Sequence, residues 1–154
     1  MTGMIEQAMM IATSAHRGQK RWDGVEEFIN HPKRIAKALK ARGACDIEVA
    51  AAWLHDVVED TQVSIDTLRE LDVDARVVEL VRLLTHSPNE SYVEYILHMV
   101  GPDRSAVGYK TIAARIKSLD IIDNITSTDK DKMSDSMRDK YELAYYLLTG
   151  AVLR

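Results

Sequence analysis

The chain has 154 residues, with 20 Lys and Arg against 24 Asp and Glu and a formal charge of −4 at pH 7, a size that suits one domain, 1–154, with a core of its own. That charge argues against a dedicated nucleic-acid binder, which needs basic surface to neutralise phosphates, while a small anion can still find a locally positive site. The single cysteine, Cys45, cannot form an internal disulfide, and no run approaches the roughly 18–20 apolar residues of a membrane span.

Apolar residues recur at three- and four-residue spacing almost throughout, and strict alternation is rare, so the periodicity predicts an all-α chain. The first helix falls at about 4–16; Glu6 and Gln7 interrupt its apolar part, and it lacks the basic start of a signal peptide, so a cytoplasmic protein is expected. The stretch "RGQKRWDGVEEFIN" has mixed charge, two glycines and no helical period, and reads as a loop. Helices at about 31–42, 46–59, 64–71, 74–85 and 89–100 follow, then a long one at about 104–126 and a last one at about 134–150. Asn30, Asp46, Ser64, Asp74 and Asn89 are candidate N-caps, with Pro32 in a first turn where its missing N–H does no harm. The polar stretch from Thr126 to Ser136 separates the last two helices and reads as a loop; long loops in compact helical proteins are often functional.

One segment stands out. "AAWLHDVVEDT", Ala51–Thr61, begins as an apolar helix and then crowds Asp56, Glu59 and Asp60 beside His55 in its expected last turns. Carboxylates there face the negative end of the helix dipole, which costs each about 0.3–1 kcal/mol unless a cation offsets it. Residues three and four apart share neighbouring faces, so one imidazole and three carboxylates occupy a small volume. Mixed N/O ligation suits manganese, iron or zinc better than calcium. His31, in "INHP", and Asp120, in "RIKSLDIIDN", are further candidates. If their helices converge on His55 and Asp56, two imidazoles and two carboxylates surround one ion with positions left for water and substrate.

The order H…HD…D resembles the HD-domain metal-dependent phosphohydrolases. "AHRGQKR", "FINHPKRIAKAL", "AAWLHDVVEDT" and "IKSLDIIDN" narrow the resemblance to the hydrolase domain of the RelA/SpoT alarmone enzymes and their small stand-alone relatives, over roughly residues 8–146. The resemblance implies a compact HD-type helical bundle, with His31, His55, Asp56 and Asp120 as ligands, usually to Mn²⁺. It implies that Glu59 and Asp60 act on the attacking water. Lys117 and Arg21 would supply positive charge, with Arg21 likened to the arginine that packs on the base. Asn124 matches a residue near the sugar, Ser127 a threonine beside the base, and Tyr141 a substrate-contacting tyrosine. The sequence departs from the family in "RWDGVEEFIN", where Glu26–Glu27 replace a small residue and proline and Phe28 replaces a common tyrosine. Asp123 stands where histidine or tyrosine is frequent.

Each residue also has a plainer reading. His31 can be a first-turn polar residue, His55–Asp56 a buried pair, Glu59 and Asp60 a solvated helix end, and Asp120 a surface partner of Lys117. His16 reads as a C-terminal dipole partner, His86 and His98 as structural or surface residues, Trp22 as a loop residue and Trp53 as core.

Three functions are weighed. The first is a guanosine-3′,5′-bis(diphosphate) 3′-pyrophosphohydrolase, which yields GDP or GTP and pyrophosphate. The second is a nucleotide phosphomonoesterase acting on NADPH or a nucleoside monophosphate, and the third a non-catalytic metal- and nucleotide-binding module. All three take a small phosphorylated nucleotide as partner, with no nucleic acid and no membrane. A synthetase activity is not expected from a chain of this length, and an exposed apolar helix face leaves an oligomer open.

Overall fold

The computed structural model describes residues 3–127 and 132–153. The regular elements are α1 Met4–Ala15, α2 Asn30–Ala41, α3 Asp46–Leu54, α4 Val57–Asp60, α5 Ile65–Glu70, α6 Ala75–Leu84, α7 Tyr92–Leu97, α8 Tyr109–Thr126 and α9 Asp135–Thr149. The all-α expectation holds: no strand forms among the described residues, and Lys20 and Glu27 make an isolated bridge. No helix among them is long and apolar enough to cross a membrane. The chain divides into two compact units, Met1–Thr85 and His86–Arg154.

In the first unit α3 packs against α1, α2 and α6. It can be surrounded because its residues are apolar on every side: Val49, Ala50, Ala51, Ala52, Trp53 and Leu54 are all buried. Three consecutive alanines keep the helix thin, so its neighbours approach closely without leaving voids. Amphipathic α2 turns Ile35, Ala36 and Leu39 inward and its lysines outward, and α6 does the same with Val77, Val78, Leu80, Val81 and Leu84. In the second unit α9 packs against α7 and α8, and Tyr95, Ile96, Ile112, Ala113, Ile116 and Ile121 are buried.

Several boundaries differ from expectation. The helix expected over 46–59 stops at Leu54 and restarts at Val57, because Asp56 adopts φ −103°, ψ −3°, near the sparsely populated bridge region. The three carboxylates therefore do not end one long helix, and the dipole argument for a cation loses its premise. The helix expected from 104 begins at Tyr109, behind Gly108 at φ +79°, a conformation that glycine adopts without a Cβ clash. Asp103 holds the preceding turn by accepting the N–H groups of Ser105 and Thr111 and the Ser105 hydroxyl.

Ser64 and Asp74 cap as expected. Asn30 and Asp46 fall inside their first turns, behind Ile29 and Cys45, and Ser91 in place of Asn89 caps α7 through a capping box with Glu94. The buried Trp53 and exposed Trp22 match their readings. Of the loop expected over Thr126–Ser136, residues 128–131 lie outside the described residues.

Asp74 illustrates the caps. Its carboxylate is bonded to the Arg76 guanidinium and to the Arg76 N–H, and chiefly that guanidinium lowers its pKa from 3.8 to about 2. The folded value lies below the unfolded one, so the stabilisation is present above about pH 4 and disappears as pH falls through about 2. Asp74→Ala should cost about 0.5–2 kcal/mol at neutral pH. Urea denaturation should show that difference narrowing between about pH 4 and 2.

Candidate metal centre

The interruption between α3 and α4 builds the site. Neighbouring residues in a regular helix point about 100° apart and do not meet. At the break, however, His55 Nε2 comes within 3.1 Å of Asp56 Oδ2. His31, in the first turn of α2, presents its Nε2 at 3.3 Å from the same oxygen and 3.3 Å from His55 Nε2. The imidazole centroids lie 5.2 Å apart at 63°. Both histidines are almost fully buried, and the Asp56 side chain is 16% exposed.

The donor chemistry fits a cation. His55 Nδ1 donates to the Ala52 carbonyl at 2.7 Å, one of the last carbonyls of α3, which lack an intrahelical donor. With that proton on Nδ1, the neutral ring turns the Nε2 lone pair toward an Asp56 oxygen and a second imidazole nitrogen. Such a backbone-anchored histidine is the usual support of a metal ligand. Two ligand atoms about 2.1–2.2 Å from one ion and at right angles stand roughly 3.0–3.1 Å apart, close to the separations seen. His31, His55 and Asp56 thus form a group able to hold a divalent metal ion.

Glu59 and Asp60 stay beside this group: one carboxylate oxygen from each lies within 4.8 Å of the other and of Asp56. Both side chains are exposed. The loop before α2 is tied by acid–base pairs. Glu26 receives both guanidinium arms of Arg34 and stands 4.0 Å from Arg21 Nε, while Glu27 pairs with Lys20. The unusual Glu26–Glu27 therefore has a structural explanation in this loop. Arg21, 5% exposed, lies with its guanidinium 5.8 Å from the Phe28 ring centroid.

The other sequence-selected residues belong to the second unit. Asp120, on α8, is buried, which sets aside a surface pair with Lys117. Lys117 Nζ donates to its Oδ2 at 2.6 Å and Asn124 Nδ2 to its Oδ1 at 3.3 Å. Burial is the largest single influence on Lys117 and lowers its pKa, but Asp120, with Tyr95 and Tyr92, outweighs it and raises the net value well above 10.5. Ser127 caps α8 and turns its hydroxyl back to the Asp123 carbonyl. The Tyr141 ring meets Tyr92 edge-on, with centroids 6.3 Å apart.

Sequence reasoning missed an aromatic and cationic cluster here. Lys140 Nζ sits 4.5 Å from the Tyr92 centroid and 5.2 Å from that of Tyr141. Lys117 lies 5.8 and 5.4 Å from Tyr92 and Tyr95, and His86 stacks on Tyr95. The three-residue spacing of Tyr92 and Tyr95 was the available signal. His86 donates to the Glu90 carbonyl and His98 pairs with the Glu90 carboxylate, so both histidines are structural.

Among the described residues the fold is helical, and its first unit brings two imidazoles and a carboxylate to one point. The family model described as HD domain matches residues 8–106, and the chain belongs to that family. The match includes His31, His55, Asp56, Glu59 and Asp60; α8 lies beyond it.

The chain is 36% identical over 94 residues to a Synechocystis protein named "Probable guanosine-3′,5′-bis(diphosphate) 3′-pyrophosphohydrolase", 60% of this chain and 12% of that one. It is 42% identical over 72 residues, 47% of this chain and 10% of the other, to the Haemophilus influenzae guanosine-3′,5′-bis(diphosphate) 3′-pyrophosphohydrolase. It thus spans about a tenth of the length of these relatives. A solved structure titled as a metazoan ortholog of SpoT that hydrolyses ppGpp shares the fold, with a TM-score of 0.73, 24% identity and coverage of 99% of this chain and 89% of the other.

The donor set predicts cation binding. Mn²⁺ at a hundred times its Kd should stabilise the wild type by about 2.7 kcal/mol. His55→Ala and Asp56→Asn should remove that increment, read as the loss of the metal-dependent shift in thermal unfolding.

Proposed function

We propose that the chain is a Mn²⁺-dependent nucleotide phosphohydrolase that removes the 3′-pyrophosphate of guanosine tetra- or pentaphosphate. The observation that carries this reading is the His31–His55–Asp56 group with the carboxylates of Glu59 and Asp60 beside it. The names of the relatives supply the substrate class. Asp120 is the proposed fourth ligand; its burial and its hydrogen bonds from Lys117 and Asn124 support an oriented, ionised carboxylate.

His31, His55, Asp56 and Asp120 would hold the cation, which would supply a lowered water pKa and polarisation of the phosphate oxygens. The chain's own groups do the rest. Glu59 and Asp60, acceptors when ionised, orient the water and take its proton as its oxygen attacks the 3′-phosphorus. The phosphorus–ribose-oxygen bond breaks, the 3′-oxygen is protonated, and pyrophosphate and GDP or GTP leave. Lys117 neutralises phosphate charge, which otherwise raises the barrier to attack by an electron-rich oxygen. Arg21, whose guanidinium lies 5.8 Å from the Phe28 centroid, packs on the base; Asn124 serves the sugar, and Ser127 and Tyr141 contact the nucleoside. A small cytoplasmic nucleotide is thus the partner.

Incubation of the full chain with ppGpp and Mn²⁺ should release pyrophosphate. Asp56→Ala and Asp120→Ala should abolish release, and Glu59→Gln should lower kcat by about 10²–10⁴. Orthophosphate from NADPH or nucleoside monophosphates, with no pyrophosphate from ppGpp, would replace this reading with the phosphomonoesterase.

A further inference from the structure

His16 is the feature of the first unit that the reading above leaves unused. Its backbone ends α1, as a dipole partner's would, but its ring is 1% exposed. Burial, the largest influence, holds its pKa below 6.5, so the ring is neutral at pH 7 and cannot serve the dipole as a cation. Nδ1 lies 2.9 Å from Gln19 Oε1. An amide oxygen only accepts, so Nδ1 carries the proton and Nε2 is left as a lone pair. That Nε2 is buried and has no hydrogen-bond partner.

An unpaired buried acceptor costs about 1–3 kcal/mol, and most such groups in folded proteins find a partner. The location of this one explains the expense. His16 stacks on Phe28 at 4.5 Å and 25°, Phe28 meets His31 edge-on at 6.0 Å, and His31 meets His55 at 5.2 Å. The Asp56 charge also reaches His16. The ring repeats the arrangement of His55, with its Nδ1–H on an oxygen and Nε2 on the opposite edge. The two differ in one respect. His55 Nε2 stands 3.1 Å from Asp56 Oδ2, whereas His16 Nε2 has no polar protein atom in hydrogen-bond reach. A ligand of the ion would stand among the other protein donors; an acceptor for a solvent molecule stands apart from them.

We propose that His16 is a positioning residue of the metal centre, whose Nε2 accepts a hydrogen bond from the water held beside the cation. The inference rests on the metal-binding part of the proposed function and not on the identity of the nucleotide. Glu59 and Asp60 are exposed, whereas a buried imidazole with a fixed tautomer holds one orientation. The sequence signal is the three-residue spacing of His16 and Gln19, which sets the tautomer.

The test uses Mn²⁺ alone as probe, with competition binding and water-proton relaxation measured on the full-length wild type, His16→Phe and His16→Gln. Circular dichroism monitors the fold. His16→Phe keeps the stacking face but loses the acceptor. It should bind Mn²⁺ within about threefold of wild type, shift the relaxation of the coordinated water, and lower pyrophosphate release about 10–100-fold. His16→Gln, which restores an acceptor oxygen, should recover part of both changes. Where His16→Phe does not fold, Gln19→Leu carries the test: releasing the tautomer should shift relaxation in the same direction.

Unchanged relaxation in the folded variant overturns the proposal, as does loss of Mn²⁺ binding beyond about tenfold, which would make His16 a ligand. A wild type that binds no Mn²⁺ sinks the metal centre and this inference together. A wild type that binds Mn²⁺ but leaves ppGpp intact sinks only the substrate, and the relaxation comparison still decides His16.

Discussion

The site depends on the chain breaking helical geometry between Leu54 and Val57. A continuous helix would direct His55 and Asp56 to different faces. The interruption lets adjacent residues aim at one point and leaves the Ala52 carbonyl available to fix the His55 tautomer. Two imidazole nitrogens and a carboxylate oxygen stand 3.1–3.3 Å from one another. Those three atoms would hold a shared cation as ligands.

Such a cluster needs a rigid support. Helix α3 supplies it because it is buried on all sides by α1, α2 and α6, and its alanines permit that close approach. His55 is therefore carried at the end of a buried helix, and His31 in the first turn of an adjacent one. The loop between α1 and α2 is stiffened by the Lys20–Glu27 and Arg34–Glu26 pairs and by Phe28, which touches both His16 and His31. Substitutions that look like departures from the family pattern thus form part of the wall of the site.

In the second unit α8 prepares a different environment. Asp120 accepts hydrogen bonds from an ammonium and an amide, and Lys117 shares the faces of Tyr92 and Tyr95. Lys140 approaches the same aromatic surface, and burial together with the nearby Lys117 lowers its pKa. Two ammonium groups near one aromatic surface favour an anion.

The all-α class, most helix positions, and the candidates His31, His55, Asp56, Glu59 and Asp60 were legible in the sequence. Apolar spacing reports which face of a helix is buried, and the motif strings are local. What tertiary structure alone decided was direction. The helix breaks at Asp56, which the apolar spacing does not report, and Ser91 displaced Asn89 as a cap because the capping box with Glu94 satisfies two backbone donors. His16 read as a dipole partner because spacing cannot report burial. Only the folded chain stacks its ring on Phe28, fixes its proton with Gln19 and leaves Nε2 facing no protein donor. A sequence names the groups able to bind a proton or a metal; their desolvation and the distances between lone pairs exist only after distant segments have packed.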